Sequence, residues 1–337
     1  MDILKKHIST LLRFLFPFVL GGVILYWMYR DLPFSTLSDT LYHKMRWDWM
    51  LLSFIPGILA QVFRGLRWRQ ALDPLDEHPK RTVCINAVFI SYAVSLVIPR
   101  IGEVMRCGIL KRHQDTSFSK SLGTVVTERI VDSLLILLFT GVVLLWQLPV
   151  FLQFFDITGV GFHGVLSKFT TAGILVTVIC ILCIIALLFV ILHQLSMGKK
   201  IKDSIQNIVA GMLSLRKVQN LPLYFFYSVA IWVSYFFHYY LTVFCFDFSE
   251  NIGLTAGLVS FFVGSMAGIV PTPNGAGSWH FAVKTILVLY GLSQIDAVLF
   301  ALIVHTVHTL LLIALGIYGA FALQFFHKRI SRKGDSL

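Results

Sequence analysis

Charged residues are scarce in this chain of 337 residues: 57% of its residues are hydrophobic and only 13% are charged. A soluble domain carries about 25% charged residues, so this composition excludes an ordinary soluble enzyme or binding domain. Apolar segments recur from one end of the chain to the other and leave no stretch for a large soluble domain. Because a helix satisfies its own backbone hydrogen bonds in lipid, the sequence predicts an all-α integral membrane protein.

Several motifs of catalysis and nucleotide binding are also absent. The chain contains no G-x-x-x-x-G-K-[ST] loop, no G-x-S-x-G turn and no H-E-x-x-H pair. His280, His305 and His308 could form a metal site, but they lack a carboxylate at E-x-x-H spacing, and polar contacts between helices are the favoured interpretation. We therefore expect no catalytic residues, no metal and no cofactor.

The net charge of +11 does not indicate nucleic-acid binding, because no nucleic-acid-binding motif accompanies it. Basic loops beside anionic lipid headgroups explain the charge more simply. The expected location is the cell membrane, such as the bacterial inner membrane, with several spans and with both termini in the cytoplasm.

Apolar runs of two lengths alternate along the chain. Six runs are interpreted as full spans, at about 15–28, 49–65, 124–146, 171–192, 221–246 and 297–321. Two regions, 83–112 and 254–290, hold shorter runs broken at Pro99 and at Pro271–Gly277. A full crossing at 83–98 would place the next basic residues outside, so each region is predicted to dip into the membrane as a re-entrant hairpin. The alternative is eight full spans without hairpins.

The order span, hairpin, span occurs twice, over about 47–146 and 221–323. The two halves would run in opposite senses through the bilayer, an inverted repeat that is common in transporters. We expect one polytopic membrane domain over 1–325, an amphipathic helix on the cytoplasmic surface over 199–218, and a basic cytoplasmic tail over 326–337.

Two groups of charged residues lie beside or within apolar runs. They are Arg100, Glu103 and Arg106, spaced by three, and Glu128, Arg129 and Asp132. A charge near the bilayer centre costs about 2.5–3.5 kcal/mol, so these groups need partners or a charged ligand. The groups are complementary in charge, and we expect them to meet inside the fold. The alternative is cytoplasmic loop charges together with a structural ion-pair lock.

A third candidate group surrounds the break in the second hairpin. It comprises Pro271, Pro273, Asn274, Gly275, Gly277 and His280. Such residues form turns, and between two short apolar helices the freed N–H groups at a helix end can also hold an anion. Both readings, plain turn and binding loop, remain open from the sequence.

Three motifs together resemble one known family. R-I-G-E-V-M-R at Arg100–Arg106, T-E-R-I-V-D at Thr127–Asp132 and P-T-P-N-G-A-G at Pro271–Gly277 are similar to the lysylphosphatidylglycerol synthase transmembrane family. That family includes the flippase half of the multiple peptide resistance factor, and the resemblance covers about 11–325. It implies a stand-alone membrane module that handles charged-headgroup lipids, without the soluble synthase domain. The family often has an acidic residue where this chain has His280, so a phosphate or an anionic sugar-lipid is at least as plausible as a cationic headgroup.

The leading prediction is a lipid translocase for a charged-headgroup phospholipid or a polyprenyl or sugar lipid. Arg100 and Arg106 would bind the lipid phosphate, because arginine forks suit it. The acidic residues would hold these arginines or a cationic headgroup, Arg129 would join two helices, and the 271–280 region would form the opposing half of the site. The alternatives are a membrane-embedded transferase that uses the acids as general bases, and a non-catalytic partner of a separately encoded synthase. A homo-oligomer is also possible.

Overall fold

The computed structural model describes residues 19, 21–30, 32–98, 100–157, 206, 217–268, 270 and 272–334. All regular secondary structure within these residues is helical, which confirms the all-α class. The predicted span at 171–192 and nearly all of the predicted surface helix at 199–218 lie outside the described residues, as do Pro99 and Pro271. Of the predicted tail 326–337, the backbone of 326–334 is described and continues the last helix.

The described chain is helical at 21–29, and ten further α-helices follow among the described residues. These are α1 (Phe34–Asp39), α2 (Trp47–Leu72), α3 (Arg81–Val97), α4 (Ile101–Gln114), α5 (Phe118–Trp146), α6 (Leu148–Ile157), α7 (Leu221–Tyr240), α8 (Gly253–Ala267), α9 (Ser278–Leu289) and α10 (Gln294–Gly334). A π-helical turn follows α1 at Thr40–Lys44, and a 3-10 turn extends α7 over Leu241–Cys245.

Four of these helices, α2, α5, α7 and α10, are long and apolar enough to cross a membrane. Large apolar side chains cover their outer surfaces; on α5, Leu134 is 62% exposed and Leu145 is 76% exposed. The helices between them are shorter, with 17 residues in α3, 14 in α4, 15 in α8 and 12 in α9. At 1.5 Å per residue they reach about 18–26 Å, less than the roughly 30 Å of a hydrocarbon core.

The order long, short, short, long therefore occurs twice, in α2–α5 and in α7–α10. The packing repeats as well: α3 packs on α4 as α8 packs on α9, α2 on α3 as α7 on α8, and α4 on α5 as α9 on α10. Between the halves, α3 packs on α10 and α8 packs on α5, while α2 packs on α7. Exchanging the two halves leaves this set of helix contacts unchanged.

The first short pair begins and ends at the same end of the bundle. The Lys80 backbone N–H, just before α3, donates to Gln114 Oε1 at the end of α4, at 3.0 Å. Lys120 Nζ, in the first turn of α5, lies 3.3 Å from Glu77 Oε1 in the turn after α2. We call this the basic end, because it also carries Arg81, Lys111 and Arg112.

The second short pair begins and ends at the opposite end. Arg46, which precedes α2, donates to Glu250 Oε2 at 2.9 Å and to the Phe244 carbonyl at 2.7 Å, between α7 and α8. Gln147, after α5, accepts a hydrogen bond from the Tyr290 hydroxyl, after α9, at 3.3 Å. The α8–α9 pair thus opens to the end of the bundle that faces away from the opening of the α3–α4 pair.

Candidate functional site

Asp132 on α5 is the most heavily contacted charge in the described interior. Its Oδ2 accepts from Arg64 Nη1 at 2.6 Å, and its Oδ1 accepts from Arg67 Nη1 at 2.7 Å. Arg129 Nη2, from the same helix, lies 3.1 Å from Oδ2. Arg64 and Arg67 come from α2 and are almost fully buried. The carboxylate therefore joins the first and last helices of the first half.

Glu128, one turn earlier on α5, pairs with a residue of α4. Its Oε2 accepts from Arg106 Nη2 of α4 at 2.6 Å, and the carboxylate is fully buried. The Arg106 guanidinium lies 4.5 Å from the ring centroid of Trp68, a cation–π distance. The Trp68 indole donates in turn to Thr124 Oγ1 at 3.0 Å. Arg106 is thus fixed by charge, by stacking and by a hydrogen-bonded ring.

One further pair forms the accessible edge of this cluster. Arg129 Nε lies 3.4 Å from Glu103 Oε1 of α4, and these two side chains are 37% and 28% exposed. We call the seven side chains the ion-pair network: Arg64, Arg67, Glu103, Arg106, Glu128, Arg129 and Asp132. Four arginines against three carboxylates leave it with one excess positive charge.

The network also keeps unused hydrogen-bond capacity. Arg67 Nη2, Arg106 Nε and Glu128 Oε1 are buried and have no hydrogen-bond partner among the described residues. Burying charges costs desolvation that the pairing repays only with good geometry and further hydrogen bonds. Stability alone therefore gives a poor account of seven charges in an apolar bundle, and spare arginine donors suit an anionic ligand.

The structure brings most of the predicted charged residues together. Glu103 and Arg106 contact the group on α5, as their complementary charge predicts. Arg100 does not join them: it precedes α4 with a left-handed backbone (φ 66°), and its side chain is exposed. Its side chain makes no hydrogen bond or ion pair with another described residue, so the predicted strip of three residues on one helix face is wrong at its first member.

Two residues of the network, Arg64 and Arg67, are absent from the site predicted from the sequence. The expected second span, 49–65, ended between them and left Arg67 beyond the apolar run; this end is wrong. The helix continues to Leu72 and turns both arginines inward. A helical stripe, Gln61, Arg64 and Trp68 at spacings of three and four, was the signal that could have identified them.

The break in the second hairpin is a tight turn whose residues hold one another. Asn274 adopts a left-handed conformation (φ 52°) within the 3-10 turn Pro273–Gly275, and its Nδ2 donates to Thr309 Oγ1 of α10 at 3.0 Å. Gly275 and Gly277 also have positive φ, of 70° and 87°, and glycine tolerates this without a steric cost. The turn packs against α3, and it makes no hydrogen bond or ion pair with the ion-pair network among the described residues.

Four histidines lie in two pairs in the second half, one on α7, one on α9 and two on α10. His280 Nδ1 accepts from the Gly277 N–H at 3.2 Å, and its ring centroid lies 4.3 Å from that of His305. His238 on α7 stacks on His308 at 3.6 Å. The described residues contain no group of three or more His, Cys, Asp or Glu that could hold a metal ion.

An apolar cavity of about 550 Å³ lies beside the second hairpin. Its walls come from the helical segment 21–29, α8 and α9, and include Ile24, Trp27, Met266 and Phe281. Ser278, the first residue of α9, is its one hydroxyl-bearing wall residue. The apolar lining suits a hydrocarbon chain.

The sequence profile of the lysylphosphatidylglycerol synthase TM region matches residues 14–316. The chain belongs to this family. Membership and the long apolar helices together establish a multi-pass membrane protein. The profile match reaches from before α2 into α10, so it includes both α2–α5 and the greater part of α7–α10.

Two relatives of this family member are similar over part of its length. The UPF0104 membrane protein MJ1078 of Methanocaldococcus jannaschii is 29% identical over 204 residues, which cover 58% of this chain and 78% of the relative. The glycosyltransferase AglD of Haloferax volcanii is 31% identical over 88 residues, 26% of this chain and 14% of that protein. No solved structure matches.

Proposed function

We propose that this protein is a lipid translocase that moves a lipid with an anionic headgroup, and that the ion-pair network is its headgroup site. The proposal rests mainly on a network of seven charged side chains inside an apolar helical bundle; five of them are buried, and the network has one excess positive charge. Ionisable side chains inside the bundle of a membrane protein commonly mark a functional site, and substrate paths are among the roles they serve. Family membership supports a lipid as the substrate.

The accessible members of this region would make the first contact with the headgroup. Arg100 is exposed and Arg129 is partly exposed, and guanidinium groups bind phosphate through two parallel hydrogen bonds. A phosphate that approaches Arg129 would compete with Glu103 for it. Arg106, Glu128 and the other buried members would then hold the helices that form the site.

The two short helix pairs would be re-entrant hairpins of an inverted repeat. The α3–α4 pair would enter the membrane from the basic end and α8–α9 from the opposite end, in agreement with their lengths and their hydrogen-bonded ends. Basic residues prefer the cytoplasm, so the basic end would be cytoplasmic. The tips at Arg100 and Asn274 leave the helical conformation, which at membrane depth is tolerated only beside protein or water.

The second hairpin would complete the lipid site. The N-termini of α4 and α9 both lie at hairpin tips, where unpaired N–H groups and the helix dipole favour an anion. The apolar cavity next to α9 supplies the surface that an acyl chain requires. Headgroup and chain would thereby each meet a surface of matching chemistry.

The test is the transport of fluorescent phosphatidylglycerol by the purified protein in liposomes. Arg100→Gln is expected to slow redistribution between leaflets about tenfold, since it removes a charged donor worth about 1.5–3 kcal/mol. The free energy of unfolding should not change, because the Arg100 side chain makes no hydrogen bond or ion pair with the described residues. Lys111→Gln, an exposed charge at the other end of the same helix, is the control and should transport like the wild type. Wild-type rates no faster than protein-free liposomes would reject the proposal.

A group-transfer reaction on a lipid is the second candidate. The similarity to part of a glycosyltransferase favours it, although that similarity covers 14% of the relative. Mass spectrometry of lipid incubated with the protein and a nucleotide sugar separates the two functions, because a transferase changes the mass of the lipid and a translocase does not.

A further inference from the structure

The four histidines occupy the positions of four network residues in the other half of the molecule. Arg64 lies 17 residues after the first residue of α2, and His238 lies 17 residues after the first residue of α7. Asp132 and His308 each lie 14 residues after the first residues of α5 and α10. The helices concerned are the ones that exchange when the two halves are exchanged.

The second pair obeys the same rule. Glu103 and His280 each lie two residues after the first residues of α4 and α9. Arg129 and His305 each lie 11 residues after the first residues of α5 and α10. All four histidines therefore have a charged counterpart at an equal position.

The contacts correspond as well as the positions. Arg64 and Asp132 form an ion pair at 2.6 Å, and their counterparts His238 and His308 stack at 3.6 Å. In the other pair, Arg129 lies 3.4 Å from Glu103, where the counterpart rings of His305 and His280 are 4.3 Å apart.

Each cluster also contacts a serine from the first helix of the other half. Ser228 of α7 accepts from Arg67 Nη1 at 3.1 Å. In the second half, His238 Nδ1 donates to the Ser53 carbonyl of α2 at 2.7 Å. The histidines are thus the second half's version of the network, built from side chains that are neutral unless they bind protons.

We propose that these four histidines form a proton-binding site, which replaces permanent ion pairs with pairs whose charge depends on proton binding. Proton binding there would loosen α10 from α7 and α9, and so link lipid movement to the proton gradient. The link to lipid movement rests on the proposed translocase function; the proton site itself does not.

The hydrogen bonds identify the atoms that can accept a proton. His238 uses its Nδ1–H toward Ser53, so the lone pair is on Nε2. His305 donates from Nε2 to the Asn274 carbonyl at 3.1 Å, so its lone pair is on Nδ1. His308 Nε2 is buried and has no partner among the described residues. Each proton would come from water, form one N–H bond and return to water on release.

A stacked pair of imidazole rings can bind one proton more easily than two. One imidazolium can stack on a neutral ring, whereas two like charges at 3.6 Å repel each other. Protonation of His280 would also remove the lone pair that accepts the Gly277 N–H at the start of α9. Both effects weaken contacts that hold the second hairpin and α10 together.

The helices packed around the rings carry other ionisable side chains. They are Asp48, Arg64, Arg67 and Arg69 on α2, Arg81, Cys84 and Tyr92 on α3, Tyr224, Tyr227, Tyr235, Tyr239 and Tyr240 on α7, Lys284 on α9, Asp296 and Tyr318 in the part of α10 before 326, and Tyr29 from the segment 21–29. Tyr29 contacts the His280 ring at 5.8 Å. Tyr92 and Tyr235 face Arg64 instead, and α8 carries no ionisable side chain. Proton binding at the four histidines would therefore meet no neighbouring carboxylate on α8 or α9 that could neutralise it.

The experiment measures lipid redistribution and internal pH together, in liposomes with fluorescent phosphatidylglycerol and a trapped pH-sensitive dye. In the wild type, the rate is expected to change about tenfold between pH 7 and pH 4, with proton uptake during transport, because burial opposes the charged imidazole and moves the response below the usual histidine range. His238→Gln/His308→Gln should reduce this dependence to about twofold or less. His78→Gln, a histidine with an exposed side chain, should behave like the wild type.

A second variant distinguishes loss of the proton site from loss of folding. His238→Arg/His308→Asp copies the ion pair of Arg64 and Asp132 into the second half, and it should stay folded while losing the pH dependence. Lipid movement at a pH-independent rate without proton uptake by the wild type would overturn the proton site and leave the translocase intact.

If the wild type moves no lipid, the translocase fails, and proton uptake after a pH jump in detergent decides the proton site. A wild type that takes up more protons than His238→Gln/His308→Gln supports the site. Equal uptake overturns it, as does a difference that disappears when a metal chelator is added.

Discussion

Asp132→Asn is expected to lower the free energy of unfolding by about 3–5 kcal/mol, the range for breaking a buried ion pair. Three arginines contact this carboxylate within 3.1 Å. The amide keeps the shape of the side chain but removes the charge that compensates them, so the buried network would carry two excess positive charges. Chemical unfolding of the purified protein in mild detergent measures the change.

A matched control uses an ion pair of the same length on the surface. Asp39 and Lys44 lie 2.6 Å apart with exposed side chains, and the hydrogen bond from Lys44 lowers the pKa of Asp39. Asp39→Asn should leave stability unchanged within error, because water and salt screen exposed pairs. If Asp132→Asn were as mild as this control, the charges of the network would be hydrated, and the headgroup site would lose its physical basis.

Gly102→Ala is expected to destabilise the protein by about 1–3 kcal/mol, the usual cost of overfilling a packed contact. A β-carbon at Gly102 would overlap the Ser91 carbonyl oxygen and lie 2.5 Å from Ser95 Oγ, so α4 would have to move away from α3. Because Glu103 and Arg106 follow on the same helix, lipid transport should fall as well. Thermal unfolding in detergent and the liposome assay measure the two effects.

Gly108→Ala on the same helix provides the comparison. No atom lies within 4 Å of a β-carbon at that position, and alanine is the better helix former by about 1 kcal/mol. Stability should therefore stay equal or increase slightly. Equal behaviour of the two variants would show that α3 and α4 do not need this close approach.

Helix positions and charge complementarity could be predicted from the sequence because both have a local signature. The proline in the sequence at position 99 predicts a break there, and α3 ends at Val97 while α4 begins at Ile101. The spacing of Glu128 and Asp132 places both on one face of α5. Arg64 and Arg67 could not be placed in the same way, since a basic residue near the end of an apolar run resembles a cytoplasmic loop charge. Only the full length of α2 shows that they lie inside the bundle.

The equivalence of histidines and ion pairs was not accessible from the sequence. From the sequence, His305 is predicted to make polar contacts between helices, and His280 to make such contacts or to belong to the binding loop, since no carboxylate lies at E-x-x-H spacing. Their correspondence with Glu103 and Arg129 depends on where α4, α5, α9 and α10 begin, and on which helices exchange between the halves. Arg100 differs for a related reason: its left-handed backbone is a property of the hairpin tip.

The single excess positive charge of the network has an electrical consequence. A headgroup with one phosphate monoanion would bring the loaded site to zero net charge, so carrying it through the membrane field would require no electrical work. The empty site would still be a monovalent cation, for which a complete passage amounts to about 2.3 kcal/mol per 100 mV. Membrane voltage should then act on the return of the unloaded protein, and on the loaded passage only through the protons that move with the lipid.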